Sequence, residues 1–292
     1  MSDFINSELG HCDVVNVDKN PMSKNKCDLS CLENKKWKVS SISRGKELIL
    51  IFDDGIETKK LKIGFARVGC IECVPISSID KADFDKRAML RLYTSDKVLY
   101  LADFTRYAIW RWSDWDPTRS PDLYFEHNQW RSYLHSKKNT VWFDQAVFHV
   151  MSDQRYFNGI GNFSRTEILS RTRFSPFTHL SEILEVDILR NDFFSTCKDV
   201  IGDIYNKGGL QHIYWKNPFN ISTTDMNNWI RCYNKLEKGK PSAVFLITDR
   251  DGRKFWFDRK WTSEYVKYAN TINNVVDVLD TRLLKKIYRT QK

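Results

Sequence analysis

The sequence predicts an α+β chain: an antiparallel β-sandwich, then a helical domain that carries a β-hairpin near its end. Three observations predict this. Short apolar or alternating runs, bounded by Gly, Asp and Ser, fill the first part of the chain as strands do. Apolar residues at helical spacing dominate the second part. Between them lies DPTRSPD at 116–122, whose two prolines make it the most linker-like segment. A chain of 292 residues with 41% hydrophobic and 28% charged residues can build two cores in water.

Strands are expected at 46–52 (KELILIF), before a turn at Asp53-Asp54-Gly55, and at 60–65, 68–74, 88–93 and 97–104. Helical patterns cover 125–135, 143–152, 163–173, 180–205 in two pieces, and 226–234. Residues 243–248 and 253–257 flank Asp249-Arg250-Asp251-Gly252, an Asp-Gly turn that reads as a hairpin. Over 263–289, Tyr265, Tyr268, Ile272, Val275, Leu279, Leu283 and Ile287 recur at helical spacing. Such a stripe docks on a core or faces a partner.

Lys and Arg number 46 against 37 acids, a net +9 that suits a polyanionic partner or serves solubility alone. Ten Trp, twelve Tyr and eighteen Phe can fill cores or stack on bases. The N-terminal residues hold no apolar run long enough for a signal peptide, and no membrane span appears in the sequence. Seven dispersed cysteines fit reduced thiols. Cys70 and Cys73 would point to opposite faces of a strand, so buried unlinked thiols account for them better than a metal does. The same reading covers Cys27 and Cys31, and His212 has no ligand at useful spacing. No metal and no cofactor are expected.

Residues 153–177, DQRYFNGIGNFSRTEILSRTRFSPF, are the most informative stretch. Gly159 to Asn162 interrupts two helical patterns, and the second resumes at once. Glycines allow a tight turn and close approach of a ligand, and a helix start offers unpaired N–H groups to an anion. The stretch resembles the helix–two-turn–helix of the formamidopyrimidine/endonuclease VIII (Fpg/Nei) family of DNA glycosylases, in its animal Nei-like branch. Four other stretches resemble that family in the right order: 41–52 (SISRGKELILIF), 100–112 (YLADFTRYAIWRW), 229–233 (WIRCY) and 249–257 (DRDGRKFWF). The resemblance spans residues 4–257.

The resemblance implies a catalytic-type sandwich at 1–117, a helix–two-turn–helix domain at 118–240, a finger hairpin at 241–260 and a C-terminal helix at 261–292. The hairpin has no cysteine, and only Cys197 and Cys232 lie in the second half, so the finger is a zincless one. The implied activity is base-excision repair: a glycosylase and abasic-site lyase that removes oxidised bases through a Schiff base and β/δ-elimination. The implied partner is double-stranded or bubble DNA with oxidised bases or abasic sites, met by a monomer in the nucleus. Lys46, Asn162 and Arg253 match phosphate-binding positions of the family. Arg67, Arg106 and Tyr107 match positions that fill the hole left by a flipped base. Tyr233 matches a lesion-pocket position.

The chain departs from the family at its start, where Met-Pro-Glu-Gly-Pro-Glu is expected. There the proline amine is the nucleophile and the glutamate handles protons. Positions two and three here are Ser2 and Asp3. Ser2 is a poor substitute amine, because SDFIN aligns with the middle of the family's first helix. Lys46 is a second amine near the lesion. Three readings stay open: a glycosylase whose Pro-Glu lies upstream of this methionine, a damaged-DNA-binding protein without chemistry, and an interaction scaffold.

Overall fold

The computed structural model describes residues 1–64, 70–103, 106–207, 223–235, 243–249 and 251–271. The chain forms two compact units, Met1–Pro117 and Thr118–Lys292.

The first unit opens with α1 (Ser2–Leu9) and continues as nine strands with one short helix, α2 (Lys81–Arg87). The strands are β1 (Asp13–Val14), β2 (Asn16–Lys19), β3 (Trp37–Arg44), β4 (Glu47–Asp53), β5 (Thr58–Gly64), β6 (Cys70–Pro75), β7 (Ala88–Tyr93), β8 (Lys97–Ala102) and β9 (Ile109–Trp112). They form two antiparallel sheets, ordered β1-β3-β4-β5-β9 and β2-β7-β8-β6. The two-residue period of each strand sends alternate side chains inward. Leu48, Leu50, Phe52, Leu61 and Ile63 from one sheet thus share a core with Leu90, Leu92, Leu99 and Leu101 from the other. Ile5 and Leu9 of α1 join that core. This is the expected sandwich.

The second unit contains α3 (His127–Ser136), α4 (Val147–Val150), α5 (Asn162–Leu169), α6 (Leu180–Glu185), α7 (Asp187–Asn206) and α8 (Thr223–Trp229). The hairpin β10 (Val244–Thr248) and β11 (Lys254–Asp258) follows, then α9 (Thr262–Thr271). Its core joins helices and hairpin: the Phe148 ring of α4 stacks on Phe255 of β11 with centroids 4.9 Å apart. Tyr265 and Tyr268 of α9 lie 5.3 Å from the Phe177 ring, so this part of the C-terminal stripe docks on the core. Residues 272–289 of the stripe lie outside the described residues.

Three expected helices are shorter than their patterns, the first and third for a non-local reason. The helix expected at 143–152 becomes a 3-10 turn at Val141–Asp144 and the single turn of α4. Between them Ala146 pairs with His179 as an isolated β-bridge, which needs extended backbone. The helix expected to reach 173 stops at Leu169. Side chains there take the last carbonyls: Ser170 Oγ donates to Glu167 O, Arg171 to the same oxygen, and Thr172 Oγ1 to Leu169 O. The helix expected over 226–234 ends at Trp229, because the next amides are claimed by a side chain described below. The sequence reading also did not identify α2, β1, β2 and β9, which are too short to show a period, nor β3, whose inward positions run Trp37, Val39 and then polar Ser41.

Candidate functional site

In the second unit the turn before α5 is built as its glycines allow. Gly159 has φ 97°, in the left-handed region that a side chain disfavours. Gln154 holds the turn from both ends, accepting from Gly159 N at 3.0 Å and donating to Ile160 O at 2.9 Å. Gly161 caps α5, and its amide donates to Ser164 Oγ at 2.9 Å. Asn162 is therefore the first residue of a fixed helix start.

Beneath it lies Arg165, fully buried. Its Nη1 donates to Phe148 O at 2.8 Å and to Asp249 Oδ2 at 3.0 Å. Its Nη2 donates to Asn162 Oδ1 and to Lys254 O, both at 3.3 Å. A guanidinium has only donors, so the atom of Asn162 facing it must be the oxygen, and the amide nitrogen faces away from Arg165. Burial lowers the Arg165 pKa while the Asp249 charge raises it. Asp249 uses its other oxygen to shape the hairpin turn, accepting from Asp251 N at 3.1 Å and Arg253 N at 2.8 Å. Arg253 is half-exposed, and its Nη1 donates to Ser152 O at 3.2 Å. Asn162 and Arg253, far apart in sequence, thus hang on one buried ion pair.

Tyr233 also belongs to this cluster. Its ring lies 4.6 Å from Trp256 of β11 and 5.2 Å from Phe163 of α5. The backbone amides of Arg231, Cys232 and Tyr233 all donate to the buried carboxylate of Glu167, at 2.8, 3.0 and 2.8 Å.

In the first unit, Lys46 is exposed in a two-residue turn between β3 and β4, after Gly45 at φ 59°. The next residue, Glu47, is buried and pairs with buried Lys62 at 3.0 Å, which fixes the base of the turn. Ser2 lies at the same end of β3: its hydroxyl is 3.1 Å from Ser43 Oγ, and its carbonyl accepts from Ser41 Oγ at 3.0 Å. Asn6 clasps Ser41 from the next turn of α1, so the start of that helix is held on β3.

Arg106 has φ 59°, unusual for a residue with a side chain. Buried Asp103 holds this loop, its carbonyl accepting from Arg106 N at 3.2 Å and its carboxylate from Ala108 N at 2.7 Å. The effect is to lift Tyr107 into solvent, 63% exposed, with the Lys24 ammonium 4.8 Å from its ring. Arg67 lies outside the described residues.

All seven cysteines are free thiols, and Cys31 is the exposed one. Burial pushes Cys70, Cys73 and Cys232 up to about 12. Among the described residues no three His, Cys, Asp or Glu side chains converge as metal ligands, and no helix is long and apolar enough to cross a membrane.

Sequence reasoning missed Arg165, Asp249 and Glu167, the residues that hold the cluster together. The run FSRTEIL at 163–169 does not mark Arg165 or Glu167: only Phe163, Ile168 and Leu169 are apolar, and the burial of the two charges comes from the fold.

No family model matches the chain. It is similar to endonuclease 8-like 1 of Homo sapiens and of Mus musculus, 27% identical to each over 254 residues, covering 77% of this chain and 62% of theirs. The chain thus spans about three-fifths of the length of these relatives. Its fold is similar to that of Lactococcus lactis FPG (MutM) in complex with DNA containing an oxidised pyrimidine. The TM-score is 0.68 at 15% identity, covering 88% of this chain and 94% of that one. It is also similar to MutM in complex with DNA containing carbocyclic 8-oxo-G, at TM-score 0.65 and 16% identity, over 88% and 94% of the two chains.

Proposed function

We propose that this chain, similar to the Nei-like branch of the formamidopyrimidine/endonuclease VIII family, grips damaged DNA for base-excision repair. The observation that carries this reading is the buried Arg165–Asp249 pair, which ties Asn162 at the start of α5 to Arg253 of the hairpin. Asn162 presents an amide donor and Arg253 a forked cation, two groups that bind backbone phosphate. Lys46, on its short turn, is the third phosphate group. Tyr107, raised by the Asp103-held loop, and Arg106 beside it fill the space that a flipped base vacates, together with Arg67. Tyr233 contributes to the lesion pocket. The ligand class is duplex or bubble DNA with an oxidised base or an abasic site, bound by a monomer in the nucleus.

The chemistry proposed is attack of an amine on C1′ of the damaged nucleoside. The base leaves, an imine forms, and β/δ-elimination opens the strand. A Pro-Glu start joined to α1 would supply the nucleophile and the acid at the end of β3 that carries Lys46. A second reading is damaged-DNA binding without chemistry, which rests on Asn162, Arg253 and Lys46 alone. Borohydride trapping on abasic DNA decides between the two. A covalent adduct supports the enzyme, and binding without an adduct supports the binder. N-terminal peptide mass spectrometry of the protein from its source cells shows which amine is available.

Binding itself is tested by comparing an abasic-analogue duplex with undamaged duplex at matched salt. Equal affinity for both would sink the proposal. Asn162→Ala and Arg253→Ala should each weaken both complexes about tenfold, since phosphate contacts carry little sequence information. Full binding by both variants refutes the phosphate assignment.

A further inference from the structure

Glu167 touches none of the groups assigned to DNA phosphate, yet it holds more hydrogen bonds than any surface carboxylate needs. It is fully buried on α5. Its Oε1 accepts from Cys232 N at 3.0 Å and Tyr233 N at 2.8 Å. Its Oε2 accepts from Arg231 N at 2.8 Å and Arg171 Nη1 at 2.6 Å. A buried carboxylate is stable only when its acceptor sites are filled in this way. Three successive amides on one carboxylate cannot belong to a helix or a strand, so the contact itself turns the chain out of α8 after Trp229. Arg171 completes the clamp: its Nη2 donates to Trp229 O at 2.7 Å, and its guanidinium lies 4.2 Å from the centroid of the Trp229 ring.

The clamp ends at Tyr233. That residue is wedged between Phe163, next to Asn162, and Trp256, three residues beyond Arg253. We infer that Glu167 is a positioning residue for damage recognition. It sets the Tyr233 ring between the helix start and the hairpin, so preference for a damaged site depends on a carboxylate that meets no DNA. The inference rests on the DNA-binding reading and extends it.

Glu167→Gln keeps the size of the side chain but offers one acceptor oxygen where two are used, and turns an NH₂ toward backbone amides or Arg171. In the full chain it should lower the preference for abasic-analogue over undamaged duplex about tenfold, while binding to undamaged duplex changes less than about twofold. Tyr233→Ala should reproduce that loss, and the double variant should lose no more than either single one, because both changes remove the same device. Retained preference in Tyr233→Ala overturns the inference whether or not Glu167→Gln folds. So does retained preference in a folded Glu167→Gln, or additive losses in the double variant. A wild-type chain with no preference for the abasic duplex overturns the DNA reading, and this inference with it.

Discussion

His127, in the first turn of α3, shows what burial does to a single titratable side chain. Its Nδ1 lies 2.9 Å from Leu123 O, and its ring is 5.6 Å from that of Trp130. Burial lowers its pKa below 6.5, the Leu123 carbonyl raises it, and nearby Lys198 and Arg131 lower it further. A proton therefore binds more readily to the unfolded chain than to the folded one. The stabilisation is whole above about pH 6.5 and drains away as pH falls through the lower folded value. Thermal midpoints measured from about pH 7.5 down to about pH 5 should fall less in His127→Gln than in the wild type. Identical slopes would show that another group carries the acid sensitivity. At this scale the sequence was only partly legible. Asn162 and Arg253 could be named because they match family positions, whereas Arg165 between them is merely one more basic residue until its burial is known.

Elements are where local pattern and distant contact compete. The hairpin was legible from Asp251-Gly252 between apolar runs, and the sandwich strands from their period of two. The helix ends were not. α4 is cut short by the Ala146–His179 bridge, and α8 ends where Glu167 takes the following amides. Both causes lie tens of residues away, beyond the reach of any local window. The same non-local logic makes Asp249 a strong joint between α5 and the hairpin. Its side chain is 1% exposed, as is that of Arg165. Asp249→Ala would strand a buried guanidinium and free two turn amides, a loss of about 3–5 kcal/mol. Urea unfolding measures it, and a loss below about 1 kcal/mol would mean that water or another acid replaces the carboxylate.

Across a molecule of net charge +9, the salt response of any grip on DNA counts the phosphates it neutralises. Each phosphate neutralised releases counterions, with a slope in log K against log salt of about −0.9 per contact. Arg253→Ala should therefore flatten the slope by about one contact, whereas Asn162→Ala should lower affinity at an unchanged slope, because an amide carries no charge. Equal slopes for wild type and Arg253→Ala would mean that Arg253 serves the hairpin alone, through Ser152. The two sites look alike in a single-salt assay and separate only in a titration.

The thiols lend themselves to a different use. Of seven cysteines only Cys31 is exposed, while Cys70, Cys197 and Cys232 are buried and Cys12, Cys27 and Cys73 are partly covered. A maleimide dye at low stoichiometry will thus go first to Cys31, in the Met1–Pro117 unit. The native chain already carries a single preferred labelling site, so fluorescence anisotropy can follow it onto a DNA duplex without one engineered residue.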